Sequence, residues 1–416
     1  MRQALLLIAL IVCTKVAGQS RVLGADLSLL PAYEDAGTVY YAQNGRQISD
    51  VLQYVKDECG FNAVRVRLFV GLDGSDPSVV QDLDYVKRFG KRIKDAGMGF
   101  LLDFHYSDTW ADPGSQSIPA GWDSSNDWYV EDSLYKYTKR CLSELSEIGA
   151  LPDYVQIGNE ISYGMLWREE YDKVYPAMRQ SDRDWQWERL AKFLKSAAKA
   201  VREIASEAKI IVHTERVAEP ETTVNFYSYL DGLGVDYDIV GLSYYPMFQG
   251  SLEQLGTTLD RLGQAFPNKK VQIVETAYNY AYYPADATFD FTDVWQATPE
   301  GQQAFAEALV KELNRHDNVN GLYWWFAEEN GSGRNKKVIN AWLNRGLWNN
   351  NTGRALPALY KLKGFLDVAT SLPANPTIDK SSKKRKVSDN LFDPSGRKVR
   401  KGGRGFYIGA GGSIIL

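Results

Sequence analysis

The sequence predicts an α/β fold, a single (β/α)8 TIM barrel, and three observations carry that reading. Short apolar runs alternate eight times with amphipathic stretches of helical length. Two of the runs close on a glutamate: Tyr154-Val155-Gln156-Ile157-Gly158-Asn159-Glu160 and Val271-Gln272-Ile273-Val274-Glu275. After the first run stands Gly24-Ala25-Asp26-Leu27-Ser28, with no glycine-rich phosphate loop, which ranks a doubly wound open sheet second. Strand and helix in strict alternation imply a parallel sheet, and eight such units close it into a barrel.

The expected strands are Val22–Asp26, Ala63–Leu68, Gly99–Phe104, Tyr154–Gly158, Lys209–His213, Ile239–Leu242, Val271–Val274 and Gly321–Trp325. Helical periodicity lies between them. Val79–Ala96 aligns Val79, Leu83, Val86, Phe89, Gly90 and Ile93 on one face. Leu134–Ile148 does so with Leu134, Tyr137, Cys141, Leu145 and Ile148, and Trp187–Glu207 with Leu190, Leu194, Ala198, Val201 and Ala205. The connections 107–132, 165–184 and 279–299 are long, polar and rich in aromatic or charged residues. In a barrel, long loops on one face are where a site is built, although aromatic loops also serve as packed lids.

Composition narrows the class. The chain has 416 residues, 44% hydrophobic and 24% charged, an ordinary globular balance. A net charge of −4 and a pI near 5.7 argue against a nucleic-acid partner. Eleven Trp and 25 Tyr suit a protein that stacks flat aromatic faces on sugar rings, though each could equally be packing. Residues 1–18 have the form of a secretory signal: Arg2, the apolar run Ala4–Val12, then Val16-Ala17-Gly18 for cleavage. The expected location is therefore secreted or cell-surface, with no stable membrane span, and lipidation at Cys13 as the alternative anchor. Cys59 and Cys141 fall on the first and third barrel helices, so they are expected as buried thiols, not a disulfide.

The catalytic domain is expected over 19–370, followed by a basic linker over 371–389 and a tail over 390–416. Lys383-Lys384-Arg385-Lys386-Val387 reads as solvated linker charge behind a leader of this kind. Asn390–Val399 and Gly405-Phe406-Tyr407-Ile408 resemble the end of type IX secretion sorting domains, in which short strands flank a Ser-Gly-Arg turn.

Cleaving a glycosidic bond needs a proton for the departing oxygen and a base or nucleophile at the anomeric carbon. Glu160 and Glu275, at the ends of strands three apart, would meet at one barrel mouth and supply both. A separation near 5 Å would imply retention of configuration and a wider one inversion. Asn159 would then reach a sugar hydroxyl. A lone glutamate after a strand is more often a helix cap or a surface charge; the paired arrangement is what points to chemistry.

Several motifs together resemble glycoside hydrolase family 53, the endo-β-1,4-galactanases. They are Asp103-Phe104-His105-Tyr106-Ser107-Asp108-Thr109-Trp110-Ala111-Asp112-Pro113, Gln156–Ile161 with Gly164–Trp167, Gly241-Leu242-Ser243-Tyr244-Tyr245-Pro246, and Val274–Tyr278. The resemblance implies a retaining endo-hydrolase of β-1,4-galactan acting as a monomer on polysaccharide, with no cofactor in the chemistry. It implies Glu160 as acid/base and Glu275 as nucleophile, and Arg65 as the partner keeping Glu275 ionised; a plain salt bridge inside the barrel is the other reading of Arg65, as it is of Arg67. It also implies substrate contacts from Asn159, Asp103, His105, Trp110 and His213. Tyr245, or Tyr244 if the register slips by one, would bond Glu275. Trp325, or Trp324, would form the sugar floor. Some relatives hold a structural calcium; Asp286, Asp290 and Asp293 would permit one here, but their irregular spacing argues against it, and no cofactor is expected to be required. The chain departs from the family pattern at Thr214–Pro220 and at Trp325-Phe326-Ala327-Glu328-Glu329. Another β-glycanase of the same clan, acting on mannan or xylan, and a silent glycan-binding barrel are the competing readings.

Overall fold

The computed structural model describes residues 21–367 apart from 73, 169–183 and 332–343, with short strand segments beyond residue 380. The leader, Cys13, most of the linker and the turns of the tail lie outside the described residues. Eight parallel strands close into a barrel: β1 Val22–Asp26, β2 Ala63–Leu68, β3 Gly99–Phe104, β4 Tyr154–Ile157, β5 Lys209–Thr214, β6 Ile239–Tyr244, β7 Lys270–Thr276 and β8 Val319–Trp324. Each pairs with its sequence neighbours, and β8 returns to β1 through Val22↔Gly321. Around them run α1 Val51–Cys59, α2 Leu83–Asp95, α3 Asp127–Glu147, α4 Asp184–Ile204, α5 Pro220–Gly232, α6 Leu252–Ala265, α7 Pro299–Leu313 and α8 Pro357–Lys361.

Differences from the sequence expectation lie at element ends and have local causes. α2 starts at Leu83 and not Val79 because the Asp82 carboxylate accepts from Tyr85 N–H and caps the helix there. α3 starts at Asp127 and not Leu134 because Asn126 caps Trp128 and Tyr129. β5, β6 and β7 run on to Thr214, Tyr244 and Thr276. Cys59 and Cys141 are free and buried, and burial pushes each thiol up to about 12. Among the described residues no helix is long and apolar enough to cross a membrane. In the tail, Leu391–Phe392 pairs antiparallel with Lys398–Val399 and with Tyr407–Gly409.

The barrel interior explains where the chemistry sits. Alternate strand residues point inward, so each strand presents a short column that can be read from bottom to top. The lowest layer is apolar: Val22, Ala63, Leu101, Ile211, Ile239, Val274 and Tyr323 form one cluster. Gly24 lies above Val22 because a Cβ there would come within 2.2 Å of the Tyr323 ring. Two to four residues further up each strand, the inward positions become polar: Asp26, Arg65 with Arg67, Asp103 with His105, Gln156, His213 and Ser243, all buried. Apolar packing thus closes the floor, and the ionisable groups gather at the C-terminal mouth.

Candidate active site

Glu160 reaches the mouth through an unfavourable backbone. After β4 ends at Ile157, Gly158 takes φ +103°, and a Cβ there would meet Ile161 Cγ2 at 2.9 Å. Glu160 itself is held at φ 48° in the left-handed region, which non-glycine residues seldom occupy. This turns the side chain over the barrel end. Glu275 arrives differently. Strand pairing passes from Leu242↔Ile273 to Ser243↔Glu275, and from Leu322↔Ile273 to Trp324↔Thr276, so β7 carries one extra residue against both neighbours. At this bulge Val274 packs into the barrel floor, and the next residue, Glu275, also points inside.

Both carboxyls line a cavity of about 360 Å³, with Trp110, Asp112, Asn159, Glu215, Tyr245, Phe248, Trp325 and Arg345 among its walls. Their surroundings differ. Arg65 Nη2 stands 2.8 Å from Glu275 Oε1, and the Tyr245 hydroxyl donates to Oε2 at 2.8 Å. Arg65 also donates to Asp26 (2.7 Å), Asp103 (2.8 Å) and Asn159 Oδ1 (2.9 Å). Burial alone would weaken the guanidinium's hold on its proton, but Asp103, Glu275 and Asp26 together raise its pKa. Burial lifts Glu275, and Arg65 pulls it back. Among the described residues no cation pairs with Glu160. Burial, then the charges of Glu275 and Glu215, push it well above the ordinary carboxyl range, opposed by one hydrogen bond from Ser243 at 2.6 Å. Of the two, Glu160 is the group that keeps a proton.

A relay beneath the cavity fixes the tautomer of His213. The Ser243 hydroxyl donates to Glu160, so it accepts from His213 Nε2 at 2.9 Å. His213 Nδ1 then accepts from Gln156 Nε2 at 3.0 Å and from the Glu160 backbone N–H at 3.3 Å. Burial and the nearby Arg65 keep the ring neutral, as this arrangement requires. His105 Nδ1 accepts from Ala111 N–H at 3.0 Å, and its Nε2 lies 3.1 Å from Asp103. Asn159 Nδ2 donates to Ala111 O at 2.8 Å; its second N–H remains for the cavity.

The open alternatives of the sequence reading resolve on the inward columns. Tyr245 reaches Glu275, whereas Tyr244 turns outward and donates to Gly250 O. Trp325 lines the cavity, whereas Trp324 is buried outside the barrel with its indole N–H on Arg345 O. Arg65 serves Glu275, whereas Arg67 pairs with Asp26 and lies 4.7 Å under the Trp110 ring. Sugar contact from His105, His213 and Asp103 does not fit this placement. All three are at most 2% exposed and absent from the cavity wall: Asp103 holds Arg65, His213 holds Ser243, and His105 Nδ1 accepts from Ala111 N–H. They position; Asn159, Trp110, Tyr245 and Trp325 line the space.

Four residues of the site escaped the sequence reading. Ser243 lay within a quoted motif, and Glu215 lies two beyond His213 in the same inward column, a signal that was available. Asp112 is likewise inside a quoted motif. Arg345 belongs to a distant loop with no pattern of its own; Glu329 positions it by accepting the backbone N–H groups of Asn344, Arg345 and Gly346 at 2.8, 2.9 and 3.0 Å. Asp290, one of the three acidic residues that would permit a calcium, accepts from the Thr292 N–H at 3.0 Å and from its hydroxyl at 2.7 Å.

A closed parallel barrel whose mouth holds two carboxyls, one compensated by arginine and one not, above an aromatic floor, defines a glycoside hydrolase. The chain belongs to glycosyl hydrolase family 53, whose profile matches residues 22–362. It is 34% identical over 313 residues to arabinogalactan endo-beta-1,4-galactanase A of Aspergillus niger, covering 73% of this chain and 83% of that protein. Against the arabinogalactan endo-beta-1,4-galactanase of Cellvibrio japonicus the identity is 34% over 333 residues, 77% and 84% of the two chains. The family 53 catalytic domain of Ignisphaera aggregans superposes with a TM-score of 0.72 at 30% identity, over 83% of this chain and 95% of that one.

Proposed function

We propose that the chain is an exported, monomeric, retaining endo-hydrolase of β-1,4-galactan, with Glu160 as acid/base and Glu275 as nucleophile. The observation that carries the reading is the unequal treatment of the two carboxyls: Arg65 and Tyr245 hold Glu275, and among the described residues no cation pairs with Glu160. Glu275 attacks the anomeric carbon as the bond to the departing oxygen breaks, and the Glu160 proton goes to that oxygen. Glu160, now ionised, takes a proton from water; the hydroxide oxygen displaces Glu275 and leaves the configuration as it began. Asn159's free N–H faces a ring hydroxyl, and Trp325 offers a flat face for the sugar at the cleavage point. The galactan specificity is supported by the named activities of the Aspergillus and Cellvibrio relatives. Export is supported by the leader pattern of residues 1–18.

The test is digestion of linear potato galactan, mannan and xylan side by side, with product size followed over time and the first anomer identified by NMR. Galacto-oligosaccharides of mixed length released first as the β-anomer are expected. Silence on galactan with activity on xylan or mannan would overturn the substrate, and an α-anomer would overturn the mechanism.

A further inference from the structure

Besides Glu160 and Glu275, the cavity wall carries Asp112 and Glu215, and the reaction described above does not use Glu215. Glu215 tops the inward column Ile211, His213, Glu215 on β5 and lies in the segment where the chain departs from the family pattern. Its Oε1 accepts from the Ser162 hydroxyl. Its Oε2 has no partner among the described residues, although the side chain is only 8% exposed. A carboxylate oxygen taken from water without a donor is costly, and the cavity is where a donor can still come from. Burial also pushes Glu215 up to about 7, so near neutrality it populates both protonation states.

Its position says which sugar. The ring being cleaved sits on Trp325 of the β8 end, with Glu275 of β7 at its anomeric carbon. The departing oxygen faces Glu160, so the departing sugar extends past Glu160 toward the wall built by β4 and β5. Glu215 stands on that wall, three strands from Trp325 in a ring of eight. Arg216 and Glu219 do not compete for it: Arg216 pairs with Glu219 and with the Tyr163 hydroxyl, which ties the loops after β4 and β5 together.

Resting on the galactan-hydrolase reading, we propose that Glu215 Oε2 accepts a hydroxyl hydrogen of the sugar on the leaving-group side. Glu215 is thereby a residue that selects a sugar leaving group over any other.

The experiment compares wild type, Glu215→Leu and Glu215→Ala on β-1,4-galactotetraose and on two galactobiosides that carry no sugar on the leaving side. One has a phenyl group, which needs Glu160's proton; the other has a 2,4-dinitrophenyl group, which does not. Measured on the acid side of neutrality, where Glu160 keeps its proton without help from the charge of Glu215, the expected result is a kcat/KM on the tetraose lower by about tenfold to a hundredfold, with both galactobiosides within about twofold of wild type. Loss on the phenyl galactobioside as well would mean that Glu215 acts through Glu160's acidity, and would overturn the proposal. Unchanged tetraose cleavage would overturn it too. The smaller alanine variant repeats the measurement if the leucine variant does not fold. A wild-type enzyme inert on all three substrates would instead sink the galactan reading, which keeps the two failures apart.

Discussion

The Ser243 hydroxyl lies 2.6 Å from Glu160 Oε1, a hydrogen bond that favours the ionised form of a carboxyl otherwise pushed toward its acid form. Behind it, His213 Nε2 orients that hydroxyl at 2.9 Å. Glu160 must be protonated to start the reaction, so kcat/KM is lost as pH rises through its pKa. Removing a donor to the carboxylate raises that pKa further. Ser243→Ala should therefore move the alkaline limb of the pH–rate profile to higher pH and lower kcat about tenfold, because the second step needs the ionised form. An alkaline limb shifted to lower pH would contradict the relay.

Glu160→Ala should depend on the leaving group. On galactan the loss is expected at about a thousandfold or more, the usual scale of general acid catalysis. With a dinitrophenyl leaving group the first step should survive and the second should stall, giving a burst followed by slow turnover that azide accelerates. Glu275→Ala should show no burst on any substrate, and azide should rescue it with an azide product of inverted configuration. Equal loss on both substrate types in Glu160→Ala would reverse or void the assignment.

Arg65 is as much a structural as a chemical group. It is fully buried between Asp26, Asp103 and Glu275. Arg65→Met would leave three carboxyls near one remaining guanidinium, and breaking a buried ion pair costs about 3–5 kcal/mol. A fall in the thermal midpoint is expected, together with a loss of activity exceeding that of Tyr245→Phe. A variant as stable as wild type would show that the cluster sheds its charge easily.

Glu328 supplies a stability test away from the cavity. It is fully buried, with Oε1 accepting from Leu29 N–H at 2.6 Å, and burial followed by the charge of Asp26 lifts it to about 8. The unfolded chain would titrate it near 4.3. Between those values the native state holds a proton that the unfolded state has released, so stability is full at low pH and falls as pH rises toward 8. The thermal midpoint should drop between pH 5 and pH 8, and Glu328→Gln should flatten that slope. A midpoint that rises over this range, or an unchanged slope in the variant, would refute it.

The fold was legible because barrel strands are short, apolar and buried on both faces, and all eight runs fell where strands formed. Helix starts were not, because a cap such as Asp82 or Asn126 overrides periodicity by several residues. The site was legible where a column of alternating inward residues could be counted, which separates Tyr245 from Tyr244 and Trp325 from Trp324. Counting failed at β7. From Gln272 inward, period two predicts Val274 inside and Glu275 outside, and nothing in Val-Gln-Ile-Val-Glu marks the extra residue. Glu275 was singled out by its place at the end of an apolar run, matched to Glu160, and by the motif resemblance, not by alternation along the strand. Burial was the other blind spot: a histidine at a strand end looks alike whether it meets substrate or supports the residue above it.

That irregularity in the seventh strand lets two consecutive residues face the same way, so that Val274 seals the floor while Glu275 arms the mouth. Deleting Val274 would move Glu275 into its slot, still opposite Ser243 and still facing inward, and would leave a hole in the packing beneath it. The damage would then be read in stability and not in the reacting groups. An unbulged strand of the full length would do the reverse, filling the floor and turning the carboxylate out among the helices.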